Sequence, residues 1–149
     1  MPLLGRIIVI LFALFMAALA GGIAAAIALL GVEVHVIGPD PLEHAFFWGT
    51  AAFASGVTVV IGFLPILILI VLAEAFSIRS LLIHAAAGAA LLALGYQASG
   101  ISNRYEESID HPPPPISRET EIAAAAGAVF GLVYWVIAGR RAGRWRERV

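Results

Sequence analysis

Four stretches of this chain run long enough without Asp, Glu, Lys or Arg to cross a hydrocarbon layer, and nothing constrains the fold more. They are residues 7–30, 45–73, 80–96 and 122–139. A membrane-crossing helix needs about 20 apolar residues, at about 1.5 Å of rise each. Each run is continuously apolar rather than alternating, which selects helices over a barrel, because a helix satisfies its own backbone hydrogen bonds in lipid. Composition agrees: 61% of the 149 residues are hydrophobic and 13% charged, and mean hydropathy is +0.96. A soluble domain of this length carries about a quarter charged residues and has no core large enough to hide so much apolar surface. The expectation is an all-α protein with one domain over residues 1–149, an integral membrane four-helix bundle. An ordinary soluble enzyme, a nucleic-acid-binding domain and a disordered regulator are excluded on the same grounds.

The charges predict the orientation. With the N-terminus inside, the inner side holds Arg6, Arg79, Arg140, Arg141, Arg144, Arg146 and Arg148 against Glu74 and Glu147, a balance of +5. The outer side holds Arg104 and Arg118 against eight acids, a balance of −6. Arginines concentrate on the cytoplasmic side of membrane proteins, so both termini are expected to be cytoplasmic. The outer connections are then residues 31–44 and 97–117, residues 74–79 form a tight inner turn, and 140–149 form a basic inner tail. Trp48, Tyr96, Tyr134, Trp135 and Trp145 fall near span ends, the headgroup level these side chains prefer. Arg6, the apolar run that follows it and Ala18-Leu19-Ala20 also suit a cleavable secretory signal. The apolar run continues through Leu30, however, and this favours a retained first span.

Helix starts are legible. Asp40, Pro41 and Glu43 make a capping box for the second span, and Ser117 with Glu119 and Glu121 opens the fourth. Ser77 or Ser80 suits the start of the third. Small residues four apart mark faces where helix backbones can approach: Gly21 and Gly22 on the first span, Thr50-Ala54-Thr58-Gly62 on the second, Ala85-Ala89 beside Gly88 on the third, and Gly127 and Gly131 on the fourth. Pro65, with Gly62 a turn earlier, predicts a kink in the second span. That kink would help fit 29 residues into the bilayer, and a hinge is its functional alternative.

Chemical machinery is sparse. Cysteine and lysine are both absent, which removes thiolate metal sites, iron–sulfur clusters and Schiff-base chemistry. No phosphate loop, nucleophile elbow or dinucleotide fingerprint occurs, so neither an enzyme nor a cofactor is expected. His84 is the one ionisable residue inside a span. It suits either a bond to a neighbouring helix or a proton relay. A haem held by two histidines needs a second histidine at its depth, and His35, His44 and His111 all fall outside. Glu33, His35, Asp40 and His44 cluster in the first outer connection and could hold a divalent metal or register pH. They equally fit a solvated acidic face. Arg140, Arg141, Arg144, Trp145, Arg146 and Arg148 suit anionic lipid headgroups at the inner face, at about 1 kcal/mol per arginine, or an acidic partner.

Ala126-Gly127, Gly131, Tyr134-Trp135, Ala138-Gly139-Arg140 and Ala142-Gly143, together with Ala73-Glu74-Ala75-Phe76-Ser77-Ile78-Arg79-Ser80, carry a resemblance. In these segments, about a fifth of its length, the chain resembles small uncharacterised four-span inner-membrane proteins of bacteria. The resemblance implies a location and an architecture and no reaction. The sequence therefore leads to a non-catalytic inner-membrane accessory or scaffold subunit, with self-association or a larger membrane complex as its mode of action. A small homo-oligomeric transporter or channel is the alternative, and an outer-face metal or pH sensor a third reading.

Overall fold

A computed structural model describes residues 3–30, 41–99 and 116–143. All regular structure among them is helical: α1 (Leu3–Leu30), α2 (Pro41–Ala75), α3 (Leu81–Ala98), α4 (Arg118–Ile137) and a 3₁₀ turn at Gly139–Arg141. Among the described residues α1, α3 and α4 are each long and apolar enough to cross a membrane, and α2 joins them if its two bent halves count as one span.

The first two helices extend past the expected runs, and the extensions matter. α1 begins before Arg6, and α2 continues through Glu74. Both charged residues, expected at the inner face outside the spans, are instead helical and largely enclosed. α3 and α4 begin at Leu81 and Arg118, and residues 138–139 lie beyond the end of α4.

Helix α1 is central, packing against both α2 and α4, while α4 also forms the most extensive seam, with α3. Two adjacent small-residue stripes give α1 its two partners. Gly21 faces Ala126 and Phe130 of α4, and Gly22 faces Ala51 and Ser55 of α2. Ala13, Ala17, Ala18 and Ala26 are buried beside them. The result is a core made by close backbone approach rather than by large side chains, the route open to helices in lipid. On α2 the buried face toward α1 reads Phe47, Ala51, Ser55 and Thr58. It is turned from the expected Thr50-Ala54-Thr58-Gly62 row, in which Thr50 and Ala54 are only half-buried. The reason is local. The hydroxyls of Thr50, Ser55 and Thr58 each donate to the carbonyl four residues back, at 2.8–2.9 Å. No cross-helix partner is then required, and Phe47 turns the helix by adding apolar burial.

The α3–α4 seam is glycine-made. A Cβ at Gly88 would fall against the Gly127 carbonyl and 3.1 Å from Gly131 N, and one at Gly131 would fall against the His84 carbonyl. Gly88 is the one buried residue of α3. α2 and α3 touch only thinly, although a five-residue turn joins them.

Two helices bend or end in readable ways. The halves Pro41–Val60 and Gly62–Ala75 of α2 diverge by 63°. Pro65 has no N–H for the carbonyl of residue 61, the position between those halves, and its ring crowds that carbonyl. At the far end of α2, Ser77 takes a left-handed φ of 52°, and Ile78 N–H donates to Ala73 O at 2.8 Å. This is the six-to-one bond of a Schellman end, with serine where glycine is usual. Ser117 caps α4 through its hydroxyl, which accepts from Thr120 N–H at 3.3 Å. Ser80 occupies the cap position of α3 without a side-chain cap bond.

Candidate functional site

Polar contacts between distant parts of the chain gather at one end of the molecule, where α1 begins, α2 ends, α3 begins and α4 ends. Arg6 reaches from the first turn of α1 to Glu74. Its Nε donates to Oε1 at 3.0 Å, and its Nη2 pairs with the same oxygen. Nη2 also donates at 2.9 Å to the Ala138 carbonyl, just past the end of α4, which accepts from Arg141 N–H at 3.1 Å as well. Glu74 Oε2 accepts from Gly143 N–H at 3.0 Å.

Each charge has a local reason. A cation suits the negative end of α4, so Arg6 is well placed against Ala138. An acid in the last turn of α2 is unfavourable against that helix's own dipole, and Arg6 and the Gly143 N–H offset the penalty. The side chains are 9% and 13% exposed, so the pair is mostly withdrawn from water. Removing either partner strands a charge.

A second layer of contacts surrounds the pair. Arg79, in the α2–α3 turn, donates through Nε to Ala142 O at 3.0 Å, and its own carbonyl accepts from Trp135 Nε1 at 2.7 Å. Arg140 donates to Val136 O at 2.8 Å, and its guanidinium carbon lies 5.8 Å from the Trp135 ring centre, a cation–π distance. Gly143, at φ +75°, sits so close to Ser77 that a Cβ would collide with its hydroxyl. Gly143→Ala is therefore expected to destabilise the protein by at least about 1–2 kcal/mol from the left-handed backbone alone. A denaturant titration followed by helical circular dichroism checks this.

His84 lies in the first turn of α3, under this cluster. Its Nδ1 is 2.8 Å from the Ser80 carbonyl. A carbonyl can only accept, so Nδ1 carries a hydrogen and donates to its own helix. Nε2 is enclosed and has no hydrogen-bond partner among the described residues. It lies against Gly139, where a Cβ would come within 3.0 Å of it. The ring stacks on Tyr134 of α4, with centres 5.9 Å apart and planes 22° apart. Beside this pair a cavity of about 160 Å³ opens between the second half of α2, α3 and α4, with Leu14 of α1 at its back.

The structure thus brings together Gly21, Gly22, Gly127 and Gly131 as packing residues and sets His84 beside Gly139. Gly62 is buried against Ile66 and Leu91, whereas Pro65 is exposed. Arg140 and Arg141 are exposed at the 3₁₀ turn, with Arg140 over Trp135. His44 lies half-buried in the first turn of α2. Glu33, His35, Asp40, Arg144, Trp145, Arg146 and Arg148 lie outside the described residues, as does His111. No group of three metal-ligating side chains occurs among the described residues.

The Arg6–Glu74 pair was not anticipated from sequence. A signal was present: Arg6 is the sole base before Arg79, and Glu74 is the sole acid on the arginine-rich side before Glu147. Both stand within one residue of the end of an uncharged run. Chemically, Glu74 is engaged at both oxygens and Arg6 at two nitrogens. Such a network can hold four chain segments in register. No family model, curated protein or solved structure matches the chain.

Proposed function

We propose that the protein is a four-span integral protein of a bacterial inner membrane, with both termini cytoplasmic, and that it acts without catalysis as an accessory or scaffold subunit through its helix faces. The observation that carries this reading is the one-sided packing of the outer helices. α2 and α3 each lean on a single extensive neighbour and scarcely touch each other. The first half of α2 angles away from the second and carries Phe46, Trp48 and Phe53 exposed. Meanwhile the strongest polar groups are spent on one another at the arginine-rich end. A molecule built this way has apolar surface to offer and a rigid end from which to offer it. Lipid alone also accepts apolar surface, so a partner must be tested directly. Purification in a mild detergent is expected to retain a second membrane protein in fixed stoichiometry, and Trp48→Ala combined with Phe53→Ala is expected to release it. Recovery of the chain alone from native membranes would overturn the accessory reading.

Orientation has its own test, and the absence of cysteine makes it simple. Ser99→Cys at the end of α3 is expected to react with an impermeant maleimide added to intact spheroplasts. Arg141→Cys in the 3₁₀ turn is expected to react only after lysis. The reverse pattern would place the arginines on the translocated side, against the charge bias that supports this topology.

A further inference from the structure

The cavity beside His84 is a clear departure from close packing among the described helices. Protein interiors leave few voids larger than a water molecule, yet this one measures about 160 Å³. Its wall is apolar apart from the stacked His84 and Tyr134 rings, and includes Ile66, Ile78, Ala87 and Phe130. A cavity of about 150 Å³ lined by such side chains stays dry in a soluble protein and takes up benzene, because water finds too few polar partners there. Left empty, the walls forfeit dispersion contacts across the gap.

Three of the lining residues stand at its mouth. Leu69, Leu72 and Ile83 are between 39% and 52% exposed, and they belong to α2 and α3, two helices that touch only thinly. The mouth is therefore lateral, between two helices, and edged by hydrocarbon. In the membrane-spanning orientation, on which this inference rests, what reaches such a mouth is the acyl region of the bilayer. We infer that the cavity is a binding site for one hydrocarbon chain of a membrane lipid, entering sideways between α2 and α3 and ending against the His84–Tyr134 stack. The Schellman turn at Ser77 and the Arg6–Glu74 pair hold the inner ends of α2, α3 and α4 in place, so the wedge is preformed.

The test uses the whole chain and palmitoyl-oleoyl phosphatidylglycerol as the probe, titrated into detergent-solubilised protein and followed by native mass spectrometry. A saturable one-to-one adduct is expected. Ala87→Phe, which fills the cavity, is expected to weaken it by about tenfold or more, tenfold being about 1.4 kcal/mol. Ala86→Phe, at an exposed position of the same helix, is expected to bind like the wild type. Equal binding by all three proteins, or stepwise addition without saturation, would overturn the site. A measurement on the unaltered chain guards against a misfolded Ala87→Phe variant. The same lipid with a mid-chain diazirine, reconstituted in bilayers and irradiated, is expected to label Leu72 and Ile83 in preference to Val60 and Leu94, although these two are the more exposed. Even labelling would overturn the proposal. If the cysteine pattern above holds and these results fail, only the lipid site falls; if the cysteine pattern fails, the orientation falls first.

Discussion

Glu74→Ala is expected to destabilise the protein by about 3–5 kcal/mol, the cost of stranding one member of a buried ion pair. The substitution removes both oxygens that receive Arg6 and Gly143 N–H, leaving the guanidinium with the Ala138 carbonyl alone. Arg6→Ala is expected to cost a similar amount, since Glu74 then loses its guanidinium and faces an unfavourable helix dipole. Domains are stable by about 5–15 kcal/mol in total, so either change consumes a large share. Replacing both residues together, Arg6→Met with Glu74→Leu, is expected to recover most of the loss, because two apolar side chains carry no desolvation penalty. Denaturant titration in detergent, read by helical circular dichroism, measures all three. A loss below about 1 kcal/mol for Glu74→Ala would mean that the pair behaves as an exposed one.

The second large effect is expected at the α3–α4 seam. Gly88→Ala places a methyl group against the Gly127 carbonyl and 3.1 Å from Gly131 N. Both obstacles are backbone, so the helices themselves must separate, and overpacking of this kind costs about 1–3 kcal/mol or more. Gly131→Ala meets the His84 backbone in the same way and is expected to match it. Gly56→Ala supplies the contrast. Nothing lies within 4 Å of a Cβ there, so the same chemical change is expected to stabilise α2 by about 0.5–1 kcal/mol through helix propensity alone. Opposite signs for Gly88 and Gly56, in one protein and one assay, separate close packing from propensity.

Much of the architecture was legible because hydrocarbon demands little detail. A long run without charges in hydrocarbon favours a helix, and on α1 and α4 small residues four apart do mark close approach, so α1, α3 and α4 and the roles of Gly21, Gly22, Gly127 and Gly131 follow from spacing. The Ser117 cap is a local contact between neighbours in sequence, and it too was readable. The site was far less so. Arg6 and Glu74 are 68 residues apart, and each looks alone like a residue marking a span end. Only the return of the chain sets one against the other. The turned face of α2 was hidden for a different reason. Thr50, Ser55 and Thr58 satisfy their hydroxyls within their own helix, which frees Phe47 and Ala51 to choose the buried side.

What the sequence determined by itself is the kind of chain: apolar helices, their approximate limits, and arginines crowded toward one side. Those properties depend on each residue's own transfer between hydrocarbon and water, and they add up without knowledge of neighbours. What only the tertiary structure decided is where charge is paired and where space is left. The Arg6–Glu74 pair requires the ends of three helices to meet, and the cavity beside His84 exists because α2 and α3 diverge while α4 holds α3 close. Both are properties of distances between helices, set by which small residues face which, and no single helix encodes them.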